Sequence, residues 1–314
     1  MKGRRQYSGK IIYHFLALLV VAIWGVTFIS TKVLINAGLH PSLIFAIRFA
    51  IAYAGIWIMG FRSKGAGMLF CPNLRDELLL AFLGITGGSV YFLAENTALA
   101  YTQACNVSFI VCSAPLLTAL LTIAAKRFFK GELVDGLEDV GGRWTLALGS
   151  ALAIAGMVAV IFDGNALQFS AKGDLLALAA AICWGLYSIF MSQMTEKYGT
   201  IFATRKVFFY GLVTVIPFLG GVGLPLEVFA LPSVWGNLIF LALIASLFCF
   251  AVWNKVMPQL GNVTATNYVY LNPFFTLVAA VAMLGESLSL QSALGCTAIV
   301  AGVVVGGVRP RSEK

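Results

Sequence analysis

One carboxylate in this sequence differs from the others, because it lies deep within a long apolar stretch. Glu95 is that residue, and Tyr91 precedes it by four positions, which places both side chains on one face of a helix. A carboxylate in such a place can take up and release a proton, or it can bind an ammonium group of a ligand. It can equally be a structural residue that is held by hydrogen bonds or by a cation such as Arg48.

Arg48 is the second charged candidate, and it lies roughly seven residues into another apolar stretch. A guanidinium there can hold a carboxylate ligand with its planar fork, pair with Glu95, or extend to a lipid headgroup. Arg205 occupies the corresponding place in the second half of the chain, but it stands beside Lys206 near the end of its stretch. We therefore expect Arg205 to be a charged anchor at the membrane surface.

Aromatic residues form the next set of candidates. Trp24 and Trp184 lie near the middle of their apolar stretches, and Thr27 and Tyr187 follow one turn later on the same faces. Such side chains can line a cavity and stack on a flat or apolar ligand. The glycine that follows each tryptophan favours close helix packing as the alternative.

Six further polar or amphipathic residues lie in apolar stretches, and each is a candidate for the same cavity: Asn96, Trp253, Asn254, Asn267, Tyr270 and Asn272. Asn96 and Asn254 are equivalent when the two halves are aligned on Pro115 and Pro273. An asparagine in an apolar helix can bind a ligand, or it can tie two helices together at about 1 kcal/mol. Both readings remain open for this pair.

The composition identifies the elements that must position these residues. The chain has 314 residues, of which 60% are apolar and 11% are charged. Its mean hydropathy is +0.91. About a quarter of the residues in soluble domains are charged, which is far more than in this chain, so a soluble domain is excluded. Disordered chains contain far fewer apolar residues than this chain, so a disordered protein is excluded as well. The sequence predicts an all-α integral membrane protein.

Ten apolar segments are long enough to cross a bilayer, which takes about 20 residues. They are 11–35, 42–60, 78–100, 103–125, 144–162, 175–194, 201–221, 236–256, 263–284 and 288–308. With the N-terminus in the cytoplasm, 18 of the 21 basic residues fall in cytoplasmic segments, as the positive-inside rule requires. We therefore predict ten transmembrane helices with both termini cytoplasmic. The net charge of +8 then reports topology and contact with anionic lipid, and no nucleic-acid partner is expected.

The two halves of the chain repeat each other. AIWG at 22–25 matches AICWG at 181–185, IFAIR at 44–48 matches IFATR at 201–205, and LGSALAIAG at 148–156 matches LGCTAIVAG at 294–302. The first repeat covers 11–162, with a polar cytoplasmic linker at 126–143, and the second covers 175–308. Five helices in each repeat is an odd number, so the second copy is inverted. This architecture is typical of secondary transporters, although channels also have it.

These motifs, together with the helices that contain Pro115 and Pro273 and the GE at 285–286, resemble the EamA repeat. The resemblance covers the whole chain and identifies it as similar to EamA-type transporters of the drug/metabolite transporter superfamily. It implies a multi-pass exporter of small metabolites in a bacterial cytoplasmic (inner) membrane. Amino acids, aromatic ones included, are the implied cargo.

Several alternatives to this function stay open. The cargo could be a sugar, a nucleobase or a cationic drug, or the chain could be a channel. No nucleotide-binding loop, metal-binding histidine pattern or hydrolase motif occurs in the sequence, so we expect no cofactor, no metal and no enzyme activity. The expected partners are a small-molecule substrate, the lipid bilayer and protons as a coupling ion, in a monomer or a homodimer.

Overall fold

The computed structural model describes residues 2–60, 68–102, 104–128, 130–131, 134, 137, 144–161, 170–284 and 290–307. These residues are helical apart from short connections, and no strand occurs among them, so the all-α class is confirmed. The predicted polar linker at 126–143 lies largely outside them, as do residues 285–286.

The helices follow the predicted apolar segments in order. They are α1 (Lys2–Asn36), α2 (Pro41–Gly60), α3 (Leu74–Tyr101), α4 (Ala104–Val111 and Ala114–Phe128), α5 (Trp144–Ile161), α6 (Ala171–Tyr198), α7 (Thr200–Leu219), α8 (Pro232–Leu260), α9 (262–284) and α10 (Leu290–Gly307). A short helix, Leu226–Phe229, lies in the connection between α7 and α8. α4 is interrupted immediately before Pro115, as expected for a residue that cannot donate a backbone hydrogen bond.

The lengths and composition of these helices make this a multi-pass membrane protein. Seven helices within the described residues are long and apolar enough to cross a bilayer: Ile11–Asn36, Pro41–Gly60, Leu74–Tyr101, Val107–Phe128, Ala171–Tyr198, Thr200–Leu219 and Pro232–Leu260. Two shorter apolar helices, Trp144–Ala159 and Ala293–Gly306, lie within α5 and α10. Many large apolar side chains lie exposed on the surface of the molecule, as expected for a surface that contacts lipid.

The two halves of the chain are intertwined. α1 packs on α8 and α9, α2 packs on α7 and α8, and α3 packs on α6 and α7. α5 and α10, the last helices of the two halves, pack on each other. A site at the centre is therefore built by both halves, and neither half encloses it alone.

Glycine lets α5 and α10 come unusually close. A Cβ atom on Gly149 would lie 2.4 Å from the backbone nitrogen of Gly306, and one on Gly302 would lie 2.5 Å from that of Ala153. Contacts this short with backbone cannot be relieved by turning a side chain. The GxxxG formed by Gly302 and Gly306 thus packs against a helix of the same chain.

π-helical turns interrupt the same region of two helices. Ile85–Ser89 of α3 and Phe240–Phe248 of α8 overlap when the halves are aligned on Pro115 and Pro273. In α3 the backbone at Gly88 departs furthest from helical geometry, with φ −123° and ψ −106°. Each π turn changes which side chains face the centre, and such turns are frequent at functional sites.

Candidate functional site

A small central cavity of about 30 Å³ lies among helices of both halves. Seven of the thirteen predicted site residues line it: Trp24, Thr27, Arg48, Tyr91, Glu95, Trp184 and Asn272. Five residues that the sequence did not single out complete the wall: Phe28, Phe92, Val111, Phe250 and Val269. The wall is therefore mostly apolar and aromatic, with a few polar groups, as is usual for small-molecule sites.

Two buried charged groups of opposite sign face this cavity. Arg48 is 2% exposed and Glu95 is 3% exposed. The Nε of Arg48 donates a hydrogen bond to the Oγ of Ser246 at 2.9 Å, and its guanidinium carbon lies 4.5 Å from the ring centroid of Phe92. Among the described residues, Arg48 and Glu95 form no ion pair within 4 Å. Ser246 and Phe92 contact the guanidinium directly, and the Glu95 carboxylate attracts it from beyond 4 Å.

Two further polar atoms on the wall are buried and lack a hydrogen-bond partner among the described residues. They are the Nε1 of Trp184, a donor, and the Oδ1 of Asn272, an acceptor. A buried polar atom without a partner costs about 1–3 kcal/mol. A ligand that offers both an acceptor and a donor would remove that cost at this cavity.

Aromatic rings from both halves form one side of the cavity. The rings of Trp24 and Trp184 meet edge to face, with centroids 5.2 Å apart and planes at 89°. Tyr91 lies 5.2 Å from Trp184, and Phe250 lies 5.9 Å from Trp24. The Nε1 of Trp24 donates to the backbone oxygen of Ala245 at 3.0 Å, which fixes that ring. These spacings leave little room between the rings.

Three of the predicted residues lie beyond the rings and close the cavity at one end. The hydroxyl of Tyr187 donates to the Oδ1 of Asn254 at 2.5 Å, and the Nδ2 of Asn254 donates to the Oγ1 of Thr204 at 2.9 Å. Trp253 is fully buried with its ring centroid 5.1 Å from that of Trp24. This chain of bonds ties α6, α7 and α8 together on the side where α6 ends and α7 begins.

The remaining three predicted residues lie away from the cavity lining. The Nδ2 of Asn96 donates to the backbone oxygen of Pro41 at 3.2 Å, and the Nδ2 of Asn267 donates to that of Val303 at 3.1 Å. Tyr270 is fully buried. Asn96 and Asn254 thus bond to the corresponding neighbouring helix in each half, α2 and α7, although to different kinds of acceptor. Both asparagines therefore make hydrogen bonds that connect two helices.

The repeat in the sequence could have identified Phe92 and Phe250 as a pair. They are equivalent when the halves are aligned on Pro115 and Pro273, as Asn96 and Asn254 are, and their ring centroids lie 6.2 Å apart. Ser246 had no such signal, because a single serine in an apolar helix usually bonds to its own backbone.

A second group of charged residues lies at the end of the molecule where α3 and α7 begin and α6 ends. Asp76 accepts hydrogen bonds from Lys197 at 2.5 Å and from Tyr198 at 2.6 Å. Glu77 pairs with Lys206 and accepts a bond from the backbone nitrogen of Cys71 at 2.6 Å. These contacts hold the segment before α3 against α6 and α7.

Arg205 differs from the expectation of a surface anchor. It is 3% exposed, and its guanidinium donates to the backbone oxygen of Met68 and lies over the ring of Trp57, 4.0 Å from its centroid. The segment 68–70 covers Arg205, and no pattern in the sequence predicts where that segment lies.

Burial, and then the Glu77 carboxylate, raise the pKa of the nearby Cys71 thiol to about 12.

No cluster of three potential metal ligands occurs within the described residues.

Comparison with known proteins connects this arrangement to transport. The family model described as the EamA-like transporter family matches residues 11–130 and 171–306. An uncharacterized transporter of Archaeoglobus fulgidus is 28% identical over 92% of this chain and 95% of that protein. A probable amino-acid metabolite efflux pump of Salmonella typhimurium is 27% identical over 93% of both chains.

Two further matches agree with these. A probable terminal-alkyne amino-acid exporter of Streptantibioticus cattleyicolor is 26% identical over 92% of this chain and 91% of that protein. A crystal structure with 20% sequence identity shares the fold, with a TM-score of 0.70 over 95% of this chain and 96% of that one.

Proposed function

Because this chain belongs to the EamA-like transporter family, whose members move small molecules across membranes, we propose that it exports amino acids, aromatic ones above all. The observation that carries this proposal is the composition of the central cavity. One buried guanidinium, one buried carboxylate and a set of aromatic rings face the same space. An aromatic amino acid carries a carboxylate, an ammonium group and a ring, which are the three complements of that wall.

Each part of the ligand has a residue of suitable chemistry. Arg48 binds the ligand carboxylate, because a guanidinium can donate two parallel hydrogen bonds to it. Glu95 accepts from the ligand ammonium group, and the free Oδ1 of Asn272 offers a second acceptor. The ring of the ligand stacks on Trp24 or Trp184, where an aromatic contact adds about 0.5–1.5 kcal/mol beyond area burial.

The names of two relatives support the same cargo class, since both are probable amino-acid exporters or efflux pumps. A neutral sugar or nucleobase suits the cavity less well. It would leave Arg48 and Glu95 with only each other's charge, beyond ion-pair distance, and buried charges are costly unless they are closely paired. A cationic drug would satisfy Glu95 but would leave Arg48 facing a second positive charge.

We further propose ten transmembrane helices in a bacterial inner membrane, arranged as inverted repeats over 11–162 and 175–308 with both termini cytoplasmic. Transport then proceeds by alternating access. The bonds among Tyr187, Asn254 and Thr204 close the side that the proposed orientation makes cytoplasmic. On the other side, the Nζ of Lys32 donates to the backbone oxygens of Leu99 and Thr102 and ties α1 to α3.

Proton exchange is part of the proposal. If Glu95 takes up a proton, it loses the negative charge that holds the ligand ammonium group. Proton uptake from outside would therefore release the amino acid there, which couples export to proton entry. Facilitated diffusion without a proton is the alternative that the same residues allow.

The experiment is a transport panel with purified protein in liposomes. Labelled amino acids, sugars and nucleobases are supplied with and without a pH gradient. We expect saturable uptake of aromatic amino acids, stimulated by the gradient, and no uptake of sugars or nucleobases. Saturable uptake of another class would replace the proposed cargo, and uptake that does not saturate would identify a channel.

A further inference from the structure

A second cavity, separate from the central one, lies between α2 and α7. It has a volume of about 110 Å³ and is lined by Tyr53, Trp57, Leu69, Phe70, Arg205, Lys206 and Phe209. None of these residues lines the central cavity. Its wall carries two cations, and the Glu77 carboxylate pairs with Lys206 from outside the wall, which leaves the charge of Arg205 to favour an anion inside.

The two cations are held in place by the protein. Arg205 and Lys206 are each 3% exposed. Lys206 pairs with Glu77 and donates to the backbone oxygen of Leu69 at 3.1 Å, and its Nζ lies 4.4 Å from the ring centroid of Phe70. The guanidinium of Arg205 donates to the carbonyl of Met68 and lies 4.0 Å from the ring centroid of Trp57, so it is held at the wall.

The position of this cavity matches the boundary between lipid headgroups and acyl chains. Trp57 lies three residues before the end of α2 at Gly60, and Arg205 lies five residues after the start of α7 at Thr200. At 1.5 Å per residue, both are about 4–8 Å from the helix ends. Tryptophan and tyrosine are enriched at this depth.

The surroundings of the cavity are apolar and exposed. Ile58 and Met59 on α2 are 79% and 51% exposed, and Phe70 is 63% exposed. A soluble anion would have to reach the cations past this surface. A lipid that lies in the bilayer reaches them laterally, with its acyl chains remaining on the apolar surface.

We propose that this cavity binds the headgroup of an anionic phospholipid. The phosphate pairs with Arg205 and lies next to the Lys206–Glu77 ion pair, and Trp57 and Tyr53 contact the glycerol region. The proposed orientation places the site in the cytoplasmic leaflet, where anionic lipids attract basic residues. Because α2 and α7 come from different halves of the chain, a bound lipid links the halves and stabilises the folded protein by mass action.

The test uses delipidated full-length protein in neutral detergent. Short-chain phosphatidylglycerol, phosphatidylcholine or glycerol 3-phosphate is titrated while the melting temperature is recorded, and bound lipid is counted by native mass spectrometry. Wild type is compared with Arg205→Gln and with Arg75→Gln, which removes an exposed cation at the same end of the molecule but outside this cavity.

We expect phosphatidylglycerol to raise the melting temperature of wild type and Arg75→Gln, and to bind Arg205→Gln at least tenfold more weakly. Equal binding by Arg205→Gln and wild type would overturn the proposal. Equal effects of phosphatidylcholine would remove the preference for anionic lipid. An equal effect of glycerol 3-phosphate would identify a site for soluble phosphate instead.

A second measurement needs no variant, in case Arg205→Gln does not fold. Wild-type protein in liposomes is irradiated with a phosphatidylglycerol that carries a photoreactive group next to the phosphate. We expect adducts on peptides that contain 53–59 or 205–209, and competition by unlabelled phosphatidylglycerol. Adducts confined to other helices would contradict the assignment.

Discussion

Trp24 and Trp184 hold the same place in the two halves of the chain, and their rings meet edge to face 5.2 Å apart. This contact joins α1 to α6 at the wall of the central cavity. A ligand that lies on these rings touches both halves at once. Any movement of one half against the other therefore changes the binding surface directly, as alternating access requires.

Replacing one ring of this pair should weaken the binding of an aromatic cargo. We expect Trp184→Ala to raise the KM for an aromatic amino acid about tenfold, because it removes a stacking surface and apolar area. Trp235→Ala is the matched control, since Trp235 is half-exposed in α8 away from the cavity. Transport kinetics in liposomes measure both. An unchanged KM in Trp184→Ala would remove the aromatic wall from the binding site.

The two buried charges should contribute separately to recognition. A hydrogen bond to a charged group is worth about 1.5–3 kcal/mol, so Arg48→Gln and Glu95→Gln should each raise KM about tenfold or more. Arg127→Gln and Glu196→Gln change exposed charges outside the cavity and serve as controls. Melting temperatures confirm that the variants are folded. Wild-type KM in both cavity variants would refute their proposed roles.

Proton coupling gives Glu95→Gln a second expected effect. Glutamine cannot exchange a proton, so the stimulation of transport by a pH gradient should disappear while exchange of amino acid for amino acid continues. The readout is the ratio of rates with and without the gradient. If transport and its pH dependence stay unchanged, Glu95 is not the coupling residue.

The close packing of α5 and α10 predicts a large effect of one added methyl group. Gly302→Ala places a Cβ atom against backbone of α5, so the helices must separate, at a cost of about 1–3 kcal/mol. Gly236→Ala is the control, because nothing lies within 4 Å of the added Cβ there. We expect the first variant to melt several degrees lower and the second to match or exceed wild type. Equal melting temperatures would contradict the packing.

The Cys71 thiol tests whether the segment before α3 is seated as described. Its pKa of about 12 leaves very little thiolate at pH 8, whereas an ordinary thiol is substantially ionised. Since the thiolate is the reactive form, alkylation by iodoacetamide should be roughly a thousandfold slower in folded protein than in unfolded protein. Peptide mass spectrometry follows the rate at this residue. Rates within tenfold of each other would show that the segment is not held there.

Apolar runs were sufficient to predict the all-α membrane class, and the rarity of charge in them drew attention to Arg48 and Glu95, which line the central cavity. The direction in which the other side chains of α3 and α8 point could not be predicted. The π turns in these helices rotate the residues that follow them relative to a regular helix. The burial of Arg205 depended on the segment 68–70, whose position is set by tertiary contacts and has no periodic signal.

Recognition of a zwitterion by the central cavity is the claim on which the proposed function rests. The most direct measurement is equilibrium binding of labelled phenylalanine to the purified protein, in competition with phenethylamine, which lacks the carboxylate, and 3-phenylpropionate, which lacks the ammonium group. We predict that unlabelled phenylalanine competes at least tenfold better than either analogue. Equal competition by phenethylamine, or no saturable phenylalanine binding to folded protein, would contradict it.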